Sequence, residues 1–288
     1  MLRVQKILFP VDFSERCSAA ARHAAAMARH FNAKLTVLHV IQVPPVWYGD
    51  LAAAELELLM DVEELKNERQ HTLDGYLRNE LRDVAGVEKI VENGDPAYVI
   101  GQCAHKEKVD LIMMPTHGHG PFRRLLLGSV TAKVLHDEEC PVWTDVHEEA
   151  TFVRHGFRSV MYAVDLRQEA IASMQWASQF AATYGAELTL MHAIPALAGP
   201  THPGEVRFRS YLTEHAREYI EDLQRKAGVA ARICIEGGKI AETVREAALH
   251  HAADLVVIGQ GCMQETLGRL RSNAYAIIRR SPCPVVRV

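Results

Sequence analysis

The sequence has no apolar run near the roughly 20 residues that a bilayer crossing requires, so no membrane-spanning segment is expected. It has no basic excess either. The 32 Lys and Arg are outnumbered by 36 Asp and Glu, and the pI is near 6.4, so nucleic acid is not an expected partner. Cys17, Cys103, Cys140, Cys234, Cys262 and Cys283 are scattered and form no C-x-x-C pair, which argues for reduced, mostly buried thiols over a zinc knuckle or a disulfide framework. Signatures of catalysis are missing as well: there is no G-x-S-x-G elbow, no G-x4-G-K-S/T phosphate loop and no kinase set. The opening Met1-Leu-Arg-Val-Gln-Lys-Ile-Leu-Phe-Pro10 is broken by charge, so no leader is expected and the cytoplasm is the expected compartment. Histidines number 15, but adjacent side chains on a helix, as at His250 and His251, point apart, and the loop pair His117 and His119 lacks a third ligand. No metal site is expected.

What is present is an alternation. Lys6-Ile-Leu-Phe-Pro-Val-Asp12 reads as a buried strand ending in a carboxylate, and Ser14-Glu15 signals the start of an alanine-rich helix reaching about position 30. A second strand follows over 34–41, then Pro44-Pro45, and then one long amphipathic helix over 50–82 with Gly86 just past its end. The second half offers no equally long helix, its counterpart covering 205–227. A third strand (87–91), a helix opened by Gly94-Asp95-Pro96 and a fully apolar fourth strand (110–114) lead to a glycine-rich loop, a short helix (129–136) and a last strand (141–146). Strands alternating with helices imply a parallel sheet covered on both faces.

The pattern then repeats. Asp165 stands 153 residues after Asp12, Ala186-Glu-Leu-Thr-Leu-Met-His192 echoes Ala33-Lys-Leu-Thr-Val-Leu-His39 at the same offset, and Cys283-Pro-Val285 echoes Cys140-Pro-Val142. Near-constant spacing over so many matches means a duplicated unit. The expected fold class is α/β, with two tandem Rossmann-like domains of five parallel strands each: 1–147, a linker over 148–158, and 159–288.

The loop after the fourth strand, Pro115-Thr-His-Gly-His-Gly-Pro-Phe-Arg-Arg-Leu-Leu-Leu-Gly-Ser129, reads as an anion cradle, because glycines admit a ligand close to the backbone and a helix start presents unpaired amides. With the strand end Val11-Asp12, the strand end His39-Val40 and the spacing G-x9-G-S, the chain resembles a tandem universal stress protein over almost its whole length. One departure is Pro115, where the family pattern has its first glycine; proline offers no N–H and fixes φ. The resemblance implies the adenine nucleotide alpha hydrolase-like version of the fold and a pocket for ATP or a related adenine nucleotide, with or without Mg2+. Asp12 would lie beside the ribose and Val40 against the adenine, while Gly118, Gly128, Ser129, Val130 and Thr131 would supply amides and hydroxyls to the phosphates. Pro10, Val11, Pro115, Thr116 and His117 complete the nucleotide-binding set that the resemblance implies. Arg123 and Arg124 are either phosphate contacts or solvated charges. In the second half Cys262 replaces Gly118 and Arg271-Ser272 replaces Gly128-Ser129, so one competent site, in the first half, is expected. The resemblance also implies an intrachain pseudo-dimer through the last strands, with a further homodimer open. The expected activity is binding and signalling without a dedicated catalytic residue; a scaffold that binds no nucleotide and a slow ATP hydrolase are the alternatives.

Overall fold

The computed structural model describes residues 2–42, 51–116, 127–145, 156–195, 203–260 and 269–288. Strand β1 (Lys6–Val11) is buried at every position but its first, and helix α1 (Glu15–Phe31) lays a face of Ala20, Ala21, Ala24, Ala25 and Ala28 beneath the sheet. Small side chains let helix and sheet approach closely. The helix ends at Asn32, whose left-handed backbone (φ 51°) turns its N–H back to the Ala28 and Arg29 carbonyls. Strand β2 (Lys34–Ile41) follows, then α2 (Leu51–Gly75), α3 (Arg78–Leu81), β3 (Val87–Asn93), α4 (Pro96–Glu107), β4 (Leu111–Pro115), α5 (Ser129–Asp137) and β5 (Val142–Asp145).

The chain divides into two compact units, Arg3–Val142 and Trp143–Val288. In the first, the parallel strands run β3-β2-β1-β4, and the Ile112 N–H bonds to the Pro141 carbonyl just before β5. β1 pairs β4 only at Ile7 and Leu8, so the N–H that Pro10 lacks is not demanded by that ladder. Because β2 and β4 flank β1 on opposite sides, the strand order reverses at β1, and a crevice opens at the carboxyl ends there.

The second unit repeats the plan: β6 (Ser159–Ala163), α6 (Ala170–Tyr184), β7 (Glu187–Pro195), α7 (Pro203–Ala227), β8 (Arg232–Gly238), α8 (Ile240–His250), β9 (Leu255–Ile258), α9 (Arg269–Arg280) and β10 (Val285–Arg287). Its parallel strands run β10-β9-β6-β7-β8. A cluster of rings fills its core, with Trp176 stacked on Phe180 at 5.2 Å and Phe157 edge-on to Phe180 at 5.1 Å. The tandem α/β architecture expected from the repeat is the one observed.

Two sequence expectations need correction. The helix over 50–82 is interrupted: Leu77 adopts a left-handed backbone (φ 58°) between α2 and α3, and the Tyr76 hydroxyl beside it donates to the Ser14 carbonyl at 3.0 Å. The helical asymmetry disappears with it, since α2 and α7 each have 25 residues. Ser14, moreover, makes no side-chain cap on α1. Ser14 is the N-cap residue by position, and Asp12 Oδ1 accepts from its N–H at 3.0 Å and from the Cys17 thiol at 3.1 Å.

Candidate functional site

The crevice at the carboxyl ends of β1, β2 and β4 is a pocket of about 280 Å3. That is close to the lower end of the roughly 300–1,000 Å3 usual for small-molecule sites. Pro10, Val11, Asp12, Val40, Pro115, Gly128, Ser129, Val130 and Thr131 all line it. Thr116 adjoins it, its carbonyl accepting the Gly128 N–H at 2.9 Å. His117 and Gly118, with Arg123 and Arg124, lie outside the described residues.

Leu38, Val40, Ile100 and Met114 give it an apolar lining. The start of α5 lines it as well. Its first intrahelical bond runs from the Ala132 N–H to the Gly128 carbonyl at 2.8 Å, so the amides of Ser129, Val130 and Thr131 precede any internal partner and face the N-terminal end of the helix. Gly128 has φ −61° and ψ 143°, extended backbone open to every L residue. Glycine is therefore not required there for turning. Lining the pocket through Gly128 means lining it with backbone alone, which lets a ligand come within hydrogen-bond reach of the main chain.

Thr131 differs from expectation in one respect. Its hydroxyl donates to the Pro115 carbonyl at 3.1 Å in a buried setting, tying α5 to the end of β4, so its proton is committed to the fold. Proline at 115 thus keeps a job through its carbonyl while lacking the N–H. Asp12 likewise lines the pocket while its Oδ1 accepts from the Ser14 N–H and the Cys17 thiol at the start of α1. Burial foremost, then the Asp12 charge, pushes the Cys17 thiol up to about 12, so this pocket-lining cysteine is no nucleophile near neutrality.

The sequence reading missed an aromatic buttress behind the ends of β1 and β2. His39 Nδ1 donates to the Val11 carbonyl at 2.9 Å, Phe13 packs on the His39 ring at 4.3 Å, and Tyr76 meets Phe13 edge-on at 5.0 Å. Phe13 itself has φ 63°, a strained conformation for a bulky residue that these contacts hold in place. Burial lowers the His39 pKa, outweighing the Val11 hydrogen bond that raises it, with the Arg69 charge adding to the lowering. Gln42, Pro96 and Ile100 were missed too. Only the repeat of His39 as His192 signalled any of these, and His192 makes the same bond, to the Val164 carbonyl at 3.0 Å.

The second unit keeps that histidine bond and differs around it. Ala274 stands where Thr131 stands and is fully buried, with no hydroxyl to tie the helix. Arg167 Nε sits 3.9 Å from Asp165 Oδ2, a pairing that Asp12 does not have with the corresponding residue, Ser14. Gly259 replaces Pro115, and a Cβ there would come 3.3 Å from Ser173 Oγ and 3.4 Å from the Tyr162 hydroxyl. The first unit carries Ala20 and Phe9 at those matching positions, without the two hydroxyls, so a larger residue is accommodated at 115.

The Universal stress protein family model matches residues 3–145 and again 156–288. Among curated proteins, two universal stress proteins of Methanocaldococcus jannaschii are 36% and 34% identical to this chain over 140 and 149 residues. Each match spans 48% of this chain, covering 79% of the first relative and 92% of the second. A solved universal stress protein from Archaeoglobus fulgidus matches 99% of this chain and 96% of its own at a TM-score of 0.64 and 22% identity, a likeness of fold.

Proposed function

This chain belongs to the universal stress protein family, and from that premise we propose that its first unit binds an adenine nucleotide, ATP or AMP, and that it acts in the stress response by binding and not by dedicated catalysis. The base lies against the apolar wall at Val40, the ribose beside Asp12, and the phosphates at the start of α5. The observation that carries this reading is Gly128: a glycine whose backbone does not need one, at the cap of a helix whose start lines a pocket that also has apolar lining. A partial positive charge and unpartnered donors at that helix start suit phosphate oxygens.

Catalysis is the weaker reading on geometry. Among the described pocket residues Cys17 holds its proton and supplies no nucleophile, and the His39 ring is held through Nδ1 on the Val11 carbonyl as part of the pocket's framework. Isothermal titration with ATP is expected to saturate at one nucleotide per chain. Two equal sites would overturn the asymmetry between the units, and no binding at all would leave a scaffold as the function.

A further inference from the structure

In the second unit, Cys234 and Glu236 lie two residues apart on β8, which places both side chains on one face of the edge strand. His251, at the end of α8, meets that face. One ligand atom from each of the three lies within 4.8 Å of the others, and Cys234 Sγ is 3.5 Å from Glu236 Oε1. A tetrahedral ion with sulfur at about 2.3 Å and oxygen at about 2.0 Å holds those two atoms about 3.5 Å apart. All three residues are half-buried, so the cluster is open to solvent on one side.

The repeat isolates this cluster. Val91 opposes His39 across β2 and β3, and Ile235 opposes His192 across β7 and β8, which matches Cys234 to Ile90 and Glu236 to Glu92. The left-handed residues closing the following helices, Lys108 (φ 53°) and Ala252 (φ 46°), match His251 to Glu107. A thiol and an imidazole have therefore entered the second unit at two positions where the first has an aliphatic side chain and a carboxylate. His250 does not share the cluster: its ring stands 5.0 Å from that of His251 and nearly perpendicular to it.

We propose that Cys234, Glu236 and His251 bind a zinc ion. Thiolate, imidazole and carboxylate together are a borderline-soft donor set that favours Zn2+ over Mg2+ or Ca2+. Arg217 and Arg232 act electrostatically on Cys234, and Arg232 and His250 on His251; this neighbouring positive charge disfavours ions held by charge alone and leaves donor bonding to decide. On binding, the Cys234 S–H bond breaks, its proton passes to water, and a sulfur–zinc bond replaces one zinc–water bond; the imidazole and carboxylate displace further waters. Three protein ligands leave a fourth, water-filled position on the solvent side. The ion pins the edge strand to the end of α8.

The test uses the full reduced chain, with Zn2+ competed against a chromophoric chelator and Co2+ as the spectroscopic probe. One ion per chain and a thiolate-to-cobalt charge-transfer band are expected. Cys234→Ser should lose the band, and both it and His251→Gln should weaken zinc by at least the roughly 10- to 100-fold that even outer-shell changes cause. Circular dichroism checks that the variants remain folded. Wild-type behaviour of Cys234→Ser, or no charge-transfer band in the wild type, overturns the proposal. Should Cys234→Ser unfold, His251→Gln decides alone, and an unchanged zinc affinity there is equally fatal.

Discussion

Gly128→Ala separates a glycine kept for ligand approach from one kept for folding. With φ −61° and ψ 143°, the folded backbone accepts a Cβ without strain. Alanine restricts the unfolded chain more than glycine does, so stability should hold or rise by about 0.4–1 kcal/mol. Binding should move the other way. Gly128 lines the pocket with main chain at the cap of α5, and a methyl group there pushes a phosphate out of reach of the helix-start amides. Loss of one hydrogen bond to a charged group costs about 1.5–3 kcal/mol, which is about a tenfold to 150-fold rise in Kd. Calorimetric titration with ATP, alongside urea unfolding of the same preparations, reads both quantities. An unchanged Kd removes Gly128 from the phosphate end. A stability loss beyond about 1 kcal/mol shows instead that folding required the glycine.

Thr131→Val keeps side-chain volume while deleting the hydroxyl that reaches the Pro115 carbonyl, so a buried acceptor loses its partner. Chemical denaturation should show a loss of about 1–3 kcal/mol, with Thr131→Ser losing less. Acid should destabilise the protein through His39: the folded ring resists protonation while the unfolded one titrates near its ordinary 6.5, so the unfolded state binds more protons as pH falls through that value. Unfolding free energies measured from pH 7.5 down to about 5.5 should therefore decline, and His39→Gln should flatten the slope. His30 and His251, also lowered by burial, share the sign, so flattening should be partial.

Much of this was legible in the sequence because the repeat gave each element a second witness. The apolar strand ends and the Gly128-Ser129 step pointed to one crevice, since strand ends and helix starts in a parallel sheet converge by topology. The break at Tyr76 and Leu77 was not legible: neither residue breaks helices, and what accompanies the turn is a tertiary bond from Tyr76 to Ser14, 62 residues away. Ser14 was legible as the N-cap position, but not the missing side-chain bond: its N–H is instead held by the Asp12 carboxylate at the strand end. Ile100 and Pro96 reach the pocket from α4, which periodicity identifies as a helix without saying which sheet end its first turn meets. The cluster of Cys234, Glu236 and His251 joins a strand to the end of a helix, a contact hidden by the argument that neighbouring histidines diverge, because only one of them takes part.

The histidine that bonds the exit of the first strand occurs in both units, at His39 and His192. Two copies on one polypeptide share a lifetime, a temperature, a synthesis rate and a solvent. Their divergence therefore owes nothing to any of these. The bond that both retain is a tie of the architecture itself, whereas Thr131 against Ala274 and Ile90 against Cys234 mark positions that the shared architecture leaves free to differ.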